Sequence, residues 1–180
     1  MDAYVFVRQA DEDVIGRLAQ LSEEMAEEVR FVAPLAGPHD AFVALEAPSL
    51  KSIQRLVHRN LRGAGARDSD TSIVVMAPQD IVSWPHLPLP LPRKWIIGHA
   101  VESLTRIRVE AGRAVDVLIS LGGLEGALGA AIVAGEYDIL FGMGGDSFAD
   151  VAGRLLNQLQ QVDGIRSTIS SFMSNEQGAS

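Results

Sequence analysis

The sequence contains no cysteine. Disulfides, thiolate metal sites and a cysteine nucleophile are therefore excluded from the start. Positive charge is scarce as well: 15 Lys and Arg stand against 23 Asp and Glu, for a net charge of −8. A chain this acidic repels phosphate backbones on the whole, so direct nucleic-acid binding is not expected. No apolar run approaches the roughly 20 residues that span a bilayer. Met1 to Arg8 also lacks the charged-then-apolar layout of a signal peptide. The expectation is a cytoplasmic protein with no membrane partner. The four histidines, His39, His58, His86 and His99, fall at no metal-like spacing, and neither a metal nor another cofactor is expected.

What the sequence does have is an ordinary globular balance, with 47% hydrophobic and 21% charged residues, enough for one large domain or two small ones. An internal repeat favours two. Leu35-Ala36-Gly37-Pro38-His39-Asp40-Ala41-Phe42-Val43 and Val133-Ala134-Gly135-Glu136-Tyr137-Asp138-Ile139-Leu140-Phe141 share one pattern. Each reads apolar, Ala, Gly, two variable residues, Asp, then an apolar strand. The same spacing carries Ser49-Leu50 onto Ser147-Phe148 at the start of a helix.

In the first half, Tyr4 to Val7 reads as a strand buried on both faces. Val14, Leu18, Leu21, Met25 and Val29 then recur at helical spacing, with glutamates between them. A strand through Arg30-Phe31-Val32, a turn at Gly37-Pro38 and a strand from Ala41 to Leu45 follow. Ser49 is an expected N-cap for a helix with Leu50, Ile53, Leu56 and Leu61 on its apolar face and Gly63 as its stop. Thr71 to Met76 is the last strand. The second half repeats the order: strand Leu104 to Val109, helix Ala114 to Leu121, strands Ala130 to Val133 and Ile139 to Met143. Asp146 is the expected N-cap of a helix whose core face is Phe148, Val151, Leu155, Leu159 and Val162, and Ser167 to Met173 closes the unit.

The order β-α-β-β-α-β is the ferredoxin-like unit. The expected class is α+β, with domains at residues 1–77 and 96–174, a linker over 78–95 and a frayed tail at 175–180. Proline density from Pro85 to Pro92 rules out a helix or central strand in the linker. Its leucines and the flanking Trp84 and Trp95 point to packing on a surface. Each unit covers one sheet face with helices and leaves the other bare. The two bare faces are expected to pack sheet to sheet, as an intrachain dimeric α/β barrel. Arg106, Arg108 and Glu110 put charge on one side of a second-half strand, which either edges into solvent or finds partners across the sheets.

Three segments of the second half resemble the effector-binding (RAM) domain of the Lrp/AsnC regulators. They are Ile107-Arg108-Val109-Glu110-Ala111-Gly112-Arg113, Val133 to Leu140, and Val162-Asp163-Gly164-Ile165-Arg166-Ser167-Thr168. The first half is a looser copy that keeps Gly37 and Asp40 but has Pro38-His39 in place of Glu136-Tyr137. The chain thus reads as a tandem duplication of that domain. Its first strand begins by Tyr4, which leaves no room for the family's preceding helix-turn-helix.

The resemblance implies binding of an amino acid or similar small metabolite around Gly135, Glu136, Tyr137, Asp138, Ser167 and Thr168, with weaker counterparts at Gly37, His39 and Asp40. Glycine supplies close backbone N–H groups for a carboxylate, aspartate an acceptor for the ammonium, and Ser167 or Thr168 a hydroxyl. It also implies self-association, or mixed oligomers with a DNA-binding relative. No catalytic residue is expected. Two alternatives stay open: an enzyme of the dimeric α/β-barrel type, such as a small monooxygenase, and a pure assembly module. The plainer reading of Gly135-x-x-Asp138 is a tight turn whose aspartate bonds nearby backbone. The basic row Lys51, Arg55, His58, Arg59 and Arg62 is expected to face the acidic first helix or solvent rather than nucleic acid.

Overall fold

The computed structural model describes residues 1–76 and 101–174. The expected linker, Trp84, Trp95, His86, His99 and the tail at 175–180 lie outside the described residues. The chain divides into two compact units, Met1–Val74 and Val75–Ser180.

In the first unit the order is β1 (Asp2–Arg8), α1 (Glu12–Glu24), β2 (Val29–Pro34), β3 (Ala41–Glu46), α2 (Leu50–Arg55, continuing as a π-helical turn Leu56–Leu61) and β4 (Asp68–Met76). In the second it is β5 (Val101–Val109), α3 (Ala114–Leu121), β6 (Ala127–Ala134), β7 (Ile139–Gly145), α4 (Phe148–Asn157) and β8 (Ile165–Ser174). The strands lie in the order β2-β3-β1-β4 in the first and β6-β7-β5-β8 in the second. The mapped strand pairs within each unit are antiparallel. Both units therefore have ferredoxin-like topology, and the class is α+β as expected.

Period-two alternation assigns the strand residues to faces. Ala3, Val5, Val7, Ala41, Val43 and Leu45 meet Val14 and Leu18 of α1 and Ile53, Leu56, Val57 and Leu61 of the second helix in one core. Ile107, Val109, Ile139, Phe141 and Met143 meet Val117, Leu118 and Leu121 of α3 and Val151 and Leu155 of α4 in the other. The intervening strand residues lie on the helix-free face, and these carry the polar chemistry.

The helix starts repeat closely. Ser49 and Ser147 adopt φ, ψ of −155°, 159° and −154°, 162°, and each hydroxyl accepts from the backbone N–H three residues on. Asp146 is thus not the cap: its N–H instead donates to the Asp150 carboxylate, 3.1 Å away. Leu50 and Phe148, both expected on the apolar faces of their helices, are not core residues. Each is the first helical residue and points outward, 48% and 59% exposed. Helix α1 stops at Glu24, and Val29 opens β2 rather than completing the helix. β4 begins at Asp68, not Thr71, because Arg8 pairs with Asp68 and Phe6 with Asp70 along β1.

Candidate functional site

The two repeated turns make the same backbone connections. Asp138 N–H donates to Ile107 O (2.9 Å), and Val133 N–H donates to Asp138 O (2.8 Å). In the first unit Asp40 N–H donates to Val7 O (2.8 Å), and Leu35 N–H donates to Asp40 O (2.8 Å). The side chains repeat as well: Asp138 Oδ2 accepts from Val109 N–H at 2.8 Å, and Asp40 Oδ2 from Ala10 N–H at 3.2 Å. Each aspartate therefore ties its turn to the end of the unit's first strand. One oxygen of the Asp138 carboxylate is committed to backbone, as the plainer turn reading has it.

The other residues of the turn reach the helix-free face. Arg106 and Arg108 lie on β5, a central strand between β7 and β8. Arg106 is 2% exposed. Its guanidinium carbon is 4.4 Å from the centre of the Tyr137 ring, and that of Arg108 is 4.9 Å away. A cation this close to an aromatic face is held by the ring quadrupole as well as by packing. Arg108 Nη2 also pairs with Glu136 Oε1 at 2.8 Å, and its Nε–H donates to the Glu136 carbonyl at 3.2 Å. The two arginines of β5 thus meet partners from the turn between β6 and β7. Both members of the Arg108–Glu136 pair are half exposed.

Register places Ser167 opposite Arg108 and Thr168 opposite Ile107. Ser167 therefore joins Arg108, Tyr137 and Glu136 on one face, whereas Thr168 belongs to the helix side. Glycines 142 and 144 lie opposite Leu104 and Glu102, so β7 presents no side chains at those two points of the face.

The first unit builds different chemistry on the same frame. Arg8 Nε–H donates to His39 Nε2 at 3.2 Å, and Arg8 Nη2 pairs with Asp70 Oδ2 at 2.6 Å. His39 is buried, its Nε2 acting as acceptor, with Asp70 Oδ2 at 3.6 Å. Beneath it lies an aromatic cluster: Phe6 meets His39 edge-on at 5.4 Å and Phe42 at 5.3 Å, while Phe42 lies 5.7 Å from Tyr4 and 6.2 Å from Phe31. Burial raises the Tyr4 phenol well above its ordinary pKa, and Asp2 adds to the shift.

Arg8 and Asp70 are not among the site residues expected from the sequence. The available signal was parity: Tyr4, Phe6 and Arg8 alternate with the aliphatic Val5 and Val7. Gly37, at φ +140°, occupies backbone space that favours glycine, and so keeps its place in this turn.

No family model and no curated protein matches the sequence. Solved structures do align. The siroheme decarboxylase NirDL superposes with a TM-score of 0.65 over 97% of this chain and 71% of that one, at 12% identity. A chlorite dismutase variant from Candidatus Nitrospira defluvii gives 0.58 over 97% and 91%, at 13% identity. AsnC of E. coli, an Lrp/AsnC-type regulator, aligns over 93% of this chain and 95% of its own, at 15% identity and a TM-score of only 0.41. The first two alignments establish shared architecture and, at such low identity, no shared activity.

Proposed function

We propose that the protein is a small-molecule binding module whose second unit takes up an amino acid or a similar zwitterion, and that it self-associates, alone or with a DNA-binding relative. The observation that carries this reading is the Arg108–Glu136 pair. It holds a cation and an anion side by side, half exposed, beside Tyr137 and opposite Ser167. A zwitterion has the complementary pair of charges: its carboxylate would replace Glu136 on Arg108, and its ammonium would replace Arg108 on Glu136. Arg106 lies against the same Tyr137 ring, 4.4 Å from its centre.

A thermal-shift screen over the amino acids tests this, because a ligand that binds only the folded state raises the melting temperature by mass action. A specific amino acid should raise the wild-type melting temperature, and both Arg108→Gln and Glu136→Gln should abolish the rise. These two variants are better probes than Asp138→Ala, since Asp138 also holds backbone. No shift with any amino acid sinks the reading and favours the assembly module.

A second reading, an enzyme of the dimeric α/β-barrel type, is favoured by one observation: His39 sits buried between Arg8 and Asp70 over the aromatic cluster. Titratable groups gathered over apolar rings are a common setting for acid–base work. The alignments with a siroheme decarboxylase and a chlorite dismutase are compatible with it. Under this reading His39→Gln abolishes small-molecule binding while Arg108→Gln leaves it intact.

A further inference from the structure

The second helix of each unit begins in the same way, and the two then diverge. Helix α4 stays α-helical to Asn157, whereas the first unit's helix widens into a π turn over Leu56–Leu61. π turns are rare and are concentrated at functional sites, because the extra residue costs helix stability and re-aims the side chains around it. Between this turn and α1 lies a groove of about 370 Å³, lined among others by Arg17, Gln20, Glu24, Arg59, Asn60 and Gly63. A cavity of that size suits a small metabolite.

The lining is chemically polarised. Arg17 Nε–H donates to Ala64 O at 2.9 Å, which fixes the guanidinium at the groove wall. Gly65, at φ +108°, lets the chain pass within reach of it, since a Cβ there would meet Arg17 Nη2 at 3.1 Å and Val14 Cγ2 at 2.8 Å. The Asn60 amide is braced by its contact with Met25 Sδ at 3.3 Å. The Arg59 side chain is exposed and makes no ion pair or hydrogen bond with the described residues. Above Gly63 an added Cβ would meet nothing within 4 Å, so the floor is open there. Glu24 lines the same groove, and its Oε1 accepts from Gln20 Nε2 at 2.8 Å. Two guanidinium groups and an amide against one engaged carboxylate leave a net attraction for a small anion.

We infer that the groove between α1 and the π turn is a second binding site, for the oxyanion of a small metabolite, either a carboxylate or a phosphate. It is separate from the turn residues 135–138 and stands whether or not the amino-acid reading does. Calorimetric titration of the full chain with inorganic phosphate, and separately with acetate, at ionic strength held constant with chloride, tests it. Saturable binding of one probe supports the site and identifies which oxyanion it prefers. Arg59→Gln should then weaken binding at least tenfold, and Glu24→Gln should tighten it. Arg62→Gln, an exposed cation on the same helix outside the groove, should leave it unchanged. No saturable binding of either probe at millimolar concentration overturns the site. So does an Arg62→Gln loss as large as that of Arg59→Gln, which marks diffuse attraction to the basic row. Arg17 is left out of the test set because its substitution also removes the tie to Ala64.

Discussion

Replacing Asp138 with alanine separates a structural role for this turn from a purely ligand-binding one. The Asp138 carboxylate accepts from Val109 N–H at 2.8 Å in a half-buried setting, and the backbone of the same residue bridges Ile107 and Val133. Alanine keeps the backbone bonds and removes only the side-chain acceptor. A hydrogen bond to a charged group contributes about 1.5–3 kcal/mol, and partial exposure places this one in the lower half, so the expected loss is about 2 kcal/mol. For a chain of this size that corresponds to a fall of roughly 4–8 °C in the melting temperature.

Asparagine retains an oxygen acceptor and should recover about half of the loss. Asp40→Ala, with its longer 3.2 Å bond to Ala10, should cost less, about 1 kcal/mol. Urea unfolding followed by circular dichroism measures the energies, and native-state amide exchange reads the bond itself, because Val109 N–H should lose protection in Asp138→Ala. The reasoning is refuted if Val109 keeps its protection and stability changes by less than about 0.5 kcal/mol without ligand.

Two further outcomes are expected. Tyr4 has a folded-state pKa raised by burial, so its contribution to stability is complete below the unfolded tyrosine pKa of about 10 and is lost as pH rises above it. Wild type should therefore lose up to about 1.4 kcal/mol per pH unit in that alkaline range through this residue, and Tyr4→Phe should remove that part of the dependence. An equal alkaline slope in both proteins would count against it. Ser49→Ala and Ser147→Ala should each cost about 1 kcal/mol, since both hydroxyls cap their helices with matching geometry. The double variant should show the sum, because the sites sit in separate units. Sub-additive losses in urea unfolding would mean that the two caps are coupled.

Helices and strands were legible where a segment carries its own periodicity. Val14 and Leu18 mark the buried side of α1, and the unbroken apolar run Tyr4 to Val7 marks β1, because those patterns depend only on neighbours along the chain. Errors collect at the ends. Asp146 and Ser147 both suit an N-cap, and choosing between them depends on where the chain leaves β7. The π turn was not legible, since Leu56 to Leu61 keeps apolar residues at spacings that an α-helix also satisfies. Of the candidate site residues, Glu136, Tyr137 and Ser167 come together on one face with Arg108, while Thr168 turns to the other.

The sequence by itself determined the repeated order of elements, the paired Gly-x-x-Asp turns and the Ser49 helix cap. Each depends on residues adjacent in the chain, through torsional preference, turn chemistry and apolar period. Tertiary structure alone decided what those residues do. Asp138 holds backbone because strand pairing brings Val109 N–H to its carboxylate. Arg106 is buried while Arg108, two residues on along β5 and on the same face, is half exposed. His39 meets Arg8 and Asp70 because antiparallel register sets Phe6 opposite both Phe42 and Asp70. A shift of one residue in that register would send each of these side chains to the other face, so composition and spacing do not fix such encounters.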